Sequence, residues 1–362
     1  SRKNLLHLLN LLTKEETMAK PNLYDLDLSA LEALLGTWGE PRYRAKQIWE
    51  WLYRHLVTDV EQMTSLPKAL RERLIAETDL YVPRVLACQE SLDGETRKDL
   101  LALRDGQSIE VVLMRYIERR SACISTQVGC AVGCQFCATG QMGIQRNLTS
   151  GEIVAQVLHL ARELDAQGQK LTNVVLMGMG EPFLNYTATL AAIRTLIHPT
   201  GFQMGQRRIT LSTSGIAPAI RRFADEDLQV NLAVSLHAAT DALRNELMPI
   251  NRKHNLNELF GAIGDYLTKT NRRVTFEWVL IDGVNDTVEQ AEALAARTAG
   301  MLIHVNLIPL NPTAGYAGQP SSEERIEAFT QILERRHVPF TLRLRRGIDI
   351  QAGCGQLRAR MP

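Results

Sequence analysis

The chain has 362 residues, 45% hydrophobic and 22% charged, proportions ordinary for a folded, soluble protein. Its length fits one large domain of the α/β-barrel size class, alone or with a small companion, and no apolar run approaches the ~18 residues of a membrane span. The net charge of +1 points to no nucleic-acid partner, although the basic pairs Arg119-Arg120, Arg207-Arg208, Arg272-Arg273 and Arg345-Arg346 can act as solvated strand-end caps or as a patch once folded.

Residues 1–19 read as an N-terminal extension. Asn4 to Leu12 is leucine-rich and amphipathic but lacks the cleavage site of a secretory signal, and Met18 makes a natural start. A helical domain is expected over 20–80. Leu28, Leu31, Leu34 and Leu35 recur at helical spacing, Pro41 opens a segment in which Ile48, Trp51 and Leu52 share a face, and Pro67 starts a third helix with Leu70 and Leu74. Over 81–120 the pattern changes to a β-hairpin extension, with three short strand-like runs broken by Asp93-Gly94 and Asp105-Gly106.

From Cys123 onward strands and helices alternate. Strands are expected at 122–127, 173–178, 208–213, 230–235, 274–281 and 302–308, with helices around 150–166, 186–197, 216–224, 255–269 and 285–298. Thr149 and Glu152 form a capping box at the start of the first helix. Such alternation implies a parallel α/β sheet, open or curled into a partial barrel over 121–345, with binding residues where strands end and loops begin.

Six cysteines are present, at 88, 123, 130, 134, 137 and 354, too few and too unevenly spread for a secreted disulfide framework. The reducing cytoplasm is the expected compartment. Cys130, Cys134 and Cys137 form a C-x3-C-x2-C triplet directly after the first barrel strand. Three thiolates on one tight loop can hold three irons of a [4Fe–4S] cluster and leave the fourth to a ligand from outside the protein. Structural zinc is the alternative if a remote residue completes the set.

After the second strand, Met177-Gly178-Met179-Gly180-Glu181-Pro182 reads as a tight turn or as a ligand loop, in which Gly180 permits close backbone approach and Glu181 pairs with an ammonium. Ser212, the run Ser235-Leu236-His237, and Asn311 end later strands. Each alone fits a cap or a turn; together they suggest one binding site.

The cysteine triplet resembles that of the radical S-adenosylmethionine (SAM) superfamily, and Met177–Glu181 resembles its amino-group-binding turn. Gly39–Lys46, Cys123–Cys130, Met177–Pro182, Leu211–Gly215 and Gly353–Leu357, in this order, resemble the RlmN/Cfr family of RNA methyltransferases from about residue 20 onward. The resemblance implies a (βα)6 partial barrel and two SAM molecules per turnover. One SAM methylates Cys354; the other yields a 5′-deoxyadenosyl radical that takes a hydrogen from that methyl group. The carbon radical adds to adenine, and Cys123 releases the product by forming a transient disulfide with Cys354. The resemblance also implies that Glu110 accepts a proton or positions the base, and that residues 346–362 form a loop carrying the methyl-accepting cysteine. It implies RNA docking by the helical domain, a monomer without a membrane partner, and an electron donor such as flavodoxin. The implied substrates are adenosine C2 in 23S rRNA and in tRNA next to the anticodon. Glu181-Pro182 resembles the C2 branch of the family; Cfr-type C8 methylation is the near alternative, and a zinc-stapled, non-catalytic RNA-binding protein the distant one.

Overall fold

The computed structural model describes residues 20–343 and 346–357, in two compact units that divide after Tyr81. The extension expected over 1–19 lies outside the described residues, as do Arg345 of the fourth basic pair and residues 358–362 of the C-terminal loop.

The first unit contains helices α1 (Leu28–Thr37), α2 (Tyr43–Tyr53) and α3 (Lys68–Glu77). Asp27 caps α1 by accepting from the Ala30 amide, and Leu31, Leu35, Ile48, Trp49, Leu52, Leu70 and Leu74 are buried. Trp49 packs on Tyr53 at a centroid distance of 4.5 Å, as a core residue.

The second unit is built on a ten-stranded sheet. Strands β1 (Arg84–Glu90), β2 (Thr96–Ala102) and β3 (Ser108–Arg115) form an antiparallel meander, turned by Gly94 and Gly106 at φ of +67° and +82°. The meander extends the main sheet, because β3 pairs antiparallel with β4 (Arg120–Cys123). From β4 the order runs in parallel through β7 (Asn173–Leu176), β8 (Ile209–Thr213), β9 (Asn231–Ser235), β10 (Val274–Leu280), β11 (Ile303–Pro309) and β12 (Phe340–Leu342). Strands β5 (Gln127–Gly129) and β6 (Ile144–Asn147) form a separate pair flanking the cysteine triplet. The strand expected over 122–127 ends early at Cys123, because the amides of Thr126 and Gln127 both turn to the Met179 carbonyl.

The helices of this unit are α4 (Ala138–Gln141), α5 (Ser150–Asp165), α6 (Tyr186–Ile197), α7 (Ala217–Phe223), α8 (Asp241–Leu247), α9 (Leu256–Thr270), α10 (Val288–Thr298) and α11 (Glu323–Arg335). The expected Thr149–Glu152 capping box forms at the start of α5. Elements β5, α4, β6, α8, α11 and β12 were not anticipated; β5 and β12 have only three residues each, too few for a periodic signal.

Side chains alternate along the parallel strands. Val174, Leu176, Ile209, Leu211, Leu232, Val234, Val274, Phe276, Trp278, Val305 and Leu307 form the buried apolar set. The residues between them, among them Ser121, Cys123, Asn173, Thr210, Asn231, Thr275, Glu277, His304 and Asn306, line a common polar cleft. A parallel sheet packed on both faces would be apolar on both. The polar face therefore marks a lumen built for a ligand.

Candidate active site

The cysteine triplet lies on a tightly wound loop. A Cβ at Gly129 would sit 1.9 Å from the Gly143 carbonyl oxygen, and one at Gly140 would sit 2.9 Å from both backbone N and O of Cys134. Cys134 and Cys137 pack against Phe136, Ala238, Leu247, Met248, Val279, Ile281 and Leu310. All three thiols are free, and burial pushes each up, that of Cys130 to about 12. Thiolates here need bound cations to offset their lost hydration, so the loop suits iron. Among the described residues, no three His, Cys, Asp or Glu side chains, the cysteine triplet included, are gathered closely enough to hold a metal ion as they stand.

The turn after β7 depends on its glycines. A Cβ at Gly178 would meet the Ile124 carbonyl oxygen at 2.7 Å, and one at Gly180, where φ is +105°, would meet the Gln127 side chain at 2.6 Å. The Met179 amide donates to Ser125 Oγ, and the Glu181 amide to Gln127 Oε1. Glu181 is buried; one carboxylate oxygen accepts from the Phe183 amide at 3.0 Å, the other from the Ser214 amide at 2.6 Å. Burial raises its pKa while those amides pull it down. An ammonium brought to this carboxylate would relieve the desolvation.

The strand ends are held together by Arg244 of α8, which sequence reasoning missed. Fully buried, it donates to the carbonyls of Ser214, Ser235 and Leu236 and to Asn251 Oδ1. Its desolvation lowers its pKa to about 10. In sequence, no local signal in Asp241-Ala-Leu-Arg244-Asn separates Arg244 from a surface arginine. Ser212 and Leu236 are buried here, and Ser235 is half-buried. His237 has φ +57°, its Nδ1 accepts from the Val279 amide at 3.0 Å, and its ring stands edge-on to Phe136 of the cysteine loop at 4.9 Å. Burial, then Arg244, depresses its pKa to about 3, so the ring is neutral with its proton on Nε2.

The C-terminal loop folds back onto the same region. The Ala138 amide donates to the Gly355 carbonyl, Thr139 Oγ1 to the Leu357 carbonyl and Asn311 Nδ2 to the Cys354 carbonyl at 3.1 Å. A Cβ at Gly353 would strike Asn311 Nδ2 at 2.7 Å. Cys354 thereby joins Cys123 and Cys137 on the wall of the polar cleft, whose volume is about 890 Å³. Cys354 is open to the cleft yet crowded by surrounding protein, and this crowding raises its pKa against the pull of the Arg343 guanidinium. The Cys123 thiol is pushed up to about 12, by burial first and by Cys354 second.

Cys130, Cys134, Gly180, Glu181, Ser212, Ser235, Leu236, His237 and Asn311 lie outside the cleft wall. Glu110 also lies off the wall; it is buried on β3 and ion-paired to Lys98 Nζ at 3.1 Å, which in turn donates to the Gln351 carbonyl of the C-terminal loop. Glu277, which sequence reasoning also missed, does line the cleft. Its Oε1 accepts from Asn306, its Oε2 is buried with no hydrogen-bond partner among the described residues, and burial raises its pKa. The signal was available in Val274-Thr-Phe-Glu-Trp278, where a carboxylate takes the polar phase of an otherwise apolar strand.

Residues 124–295 match the Radical SAM superfamily, and residues 21–79 match the ribosomal RNA large subunit methyltransferase N-terminal domain. The barrel is thus that of a radical SAM enzyme, a class that carries a [4Fe–4S] cluster and binds SAM. A radical SAM methyltransferase from Sphaerobacter thermophilus superposes with a TM-score of 0.92 at 54% identity, covering 94% of this chain and 100% of that one. The chain is 53% identical over 338 residues to the dual-specificity RNA methyltransferase RlmN 1 of Myxococcus xanthus, covering 93% of this chain and 94% of that protein. It is 49% identical over 349 residues to the probable dual-specificity RNA methyltransferase RlmN of Chloroflexus aurantiacus, covering 93% of each. The chain belongs to the RlmN family.

Proposed function

We propose that this protein methylates C2 of adenosine in 23S rRNA and in tRNA, on the adenosine 3′ of the anticodon, with Cys354 as methyl carrier and Cys123 as resolving thiol. The observation that carries the reading is the meeting of Cys123 and Cys354, distant in sequence, with Cys137 of the cysteine loop in one cleft. The relatives named for dual specificity support two RNA substrates. Among the described residues, no helix is long and apolar enough to cross a membrane; we assign a cytoplasmic monomer reduced by a flavodoxin-like donor.

When bound, the cluster and two SAM molecules supply the methyl group and the radical that removes one of its hydrogens. The protein's own residues do the rest. Cys130, Cys134 and Cys137 hold the cluster, Glu181 receives the SAM ammonium, and Gly180 admits the ligand to the backbone. Ser212, Ser235, Leu236, His237 and Asn311 surround the remainder of SAM. Arg343 lowers the Cys354 pKa and so favours the thiolate that takes the methyl group. Glu110, fixed by Lys98, positions the base or accepts the proton lost from it. Cys123 then attacks the Cys354 sulfur as a thiolate; the sulfur–carbon bond breaks as the disulfide forms, its electron pair leaves with the carbon on the base, and a proton taken up there completes the methyl group.

The test is anaerobic incubation with methyl-labelled SAM and unmodified rRNA and tRNA, followed by mass analysis of the nucleosides. Label in 2-methyladenosine is expected; label in 8-methyladenosine would assign the Cfr-type reaction, and unlabelled RNA would overturn both. Cys354→Ala should abolish RNA methylation, and Cys123→Ala should stall at a covalent protein–RNA adduct. Turnover by either variant refutes the two-cysteine scheme.

A further inference from the structure

The polar cleft has a basic mouth at the end of the barrel away from the cofactor loops. Six arginines line the cleft (Arg119, Arg207, Arg272, Arg273, Arg343 and Arg346), and Glu277 is the one acid among its lining residues. Arg119 directly precedes β4, Arg207 lies just before β8, and Arg272-Arg273 directly precede β10. These four therefore stand at the amino ends of parallel strands, together with Asn173, Asn231 and His304.

Solvated strand-end caps would point away from the cleft, whereas these four line it. Among the described residues, no acid lies within ion-pair distance of Arg119, Arg207, Arg272 or Arg273, whereas Arg346 pairs with Glu95. Neutral groups hold three of them instead: Arg119 rests on the Tyr116 ring at 4.0 Å, Arg207 donates to Gln229 and Arg272 to Asn231. From β4 to β10 is four strand spacings, roughly 19 Å around the sheet, which suits several phosphates and exceeds one small anion. The register sets the depth. Cys123 is level with Val175, Thr210 and Asn231, and Thr210 lies three residues beyond Arg207, at most roughly 10 Å away along the strand. That is within reach of a nucleotide rotated out of its stack.

We propose that RNA docks on the amino-end mouth of the barrel, its phosphates held by Arg119, Arg207, Arg272 and Arg273, and that the target base reaches Cys123 and Cys354 through the lumen from the face opposite the cysteine loop. The inference rests on the reading of the chain as an RNA methyltransferase and adds the face and the residues.

The test compares reconstituted wild-type protein with Arg207→Glu/Arg273→Glu, Arg207→Lys/Arg273→Lys and Arg252→Glu in tRNA binding at several salt concentrations and in tRNA methylation. Arg252 is exposed on the loops after β9, at the opposite end of the barrel. The glutamate pair should weaken binding at least tenfold and lower the slope of log affinity against log salt by roughly 1.4, the value for two contacts to a single strand. The lysine pair should bind within about threefold of wild type, because a phosphate contact needs the charge more than the guanidinium fork. Arg252→Glu should bind as wild type. Wild-type affinity and slope in the glutamate pair overturn the docking face, as does an equal loss in Arg252→Glu. Should the glutamate pair fail to fold, Arg207→Gln/Arg273→Gln reads the same loss of slope. Wild-type protein that methylates neither RNA overturns the proposed function itself, which separates the two failures.

Discussion

Replacing His237 with asparagine removes a titrating ring from beside the cysteine loop while keeping what the backbone needs there. Asparagine tolerates the left-handed conformation at φ +57°, and its side-chain oxygen can accept the Val279 amide hydrogen that Nδ1 now takes. In the folded protein the His237 pKa falls from 6.5 to about 3. A depressed histidine pKa stabilises fully above the unfolded value, and the stabilisation is lost as pH drops from 6.5 toward about 3. Linkage over that shift puts the loss between pH 7 and pH 5 at about 2 kcal/mol. Urea unfolding of the reduced protein at both pH values, followed by near-ultraviolet circular dichroism, measures it. The wild-type loss should exceed that of His237→Asn by about 2 kcal/mol, an amount wholly due to this ring. Equal losses in the two proteins, within about 0.5 kcal/mol, would refute the neutral, buried histidine.

Arg244→Met should destabilise the second unit by about 3–5 kcal/mol in the same unfolding assay and weaken SAM binding, because three buried carbonyls and Asn251 lose their donor; a cost under about 1 kcal/mol would show that solvent replaces it. Gly180→Ala forces a Cβ to within 2.6 Å of Gln127 at φ +105° and should cost at least about 2 kcal/mol, with loss of SAM binding by calorimetry; retained affinity would show that the turn can shift. Glu277→Gln removes a charge that raises the Cys354 pKa, so Cys354 alkylation by iodoacetamide at neutral pH should speed up, whereas Arg343→Met should slow it; the opposite order would remove both groups from the electrostatics of that thiol.

The local features of this protein were legible along the chain. The alternating βα pattern, the glycine-bearing hairpin turns at Asp93-Gly94 and Asp105-Gly106, and the Thr149–Glu152 capping box each depend on residues a few positions apart, where propensity and hydrogen-bond geometry suffice. The cysteine loop is likewise short, and backbone crowding at Gly129 and Gly140 explains its glycines locally, whereas Gly178 and Gly180 are required by Ile124 and Gln127 of the neighbouring segment.

Other properties arose only when distant segments met. That β3 would seat the meander on the sheet edge beside β4, and that the Gly353–Leu357 loop would dock on Cys137–Thr139 and Asn311, follow from long-range hydrogen bonds with no local signature. Arg244 became a clamp because two strand ends, those of β8 and β9, converge on it, and Glu277 faces the lumen because barrel curvature turns the polar phase of each strand inward. The arginine pairs before β4, β8 and β10 are unremarkable singly; parallel register alone brings them to one mouth, level with the path to Cys123. Sequence spacing determines chemistry within one loop, whereas the charge and depth of a cavity are sums over strands that only the fold brings side by side.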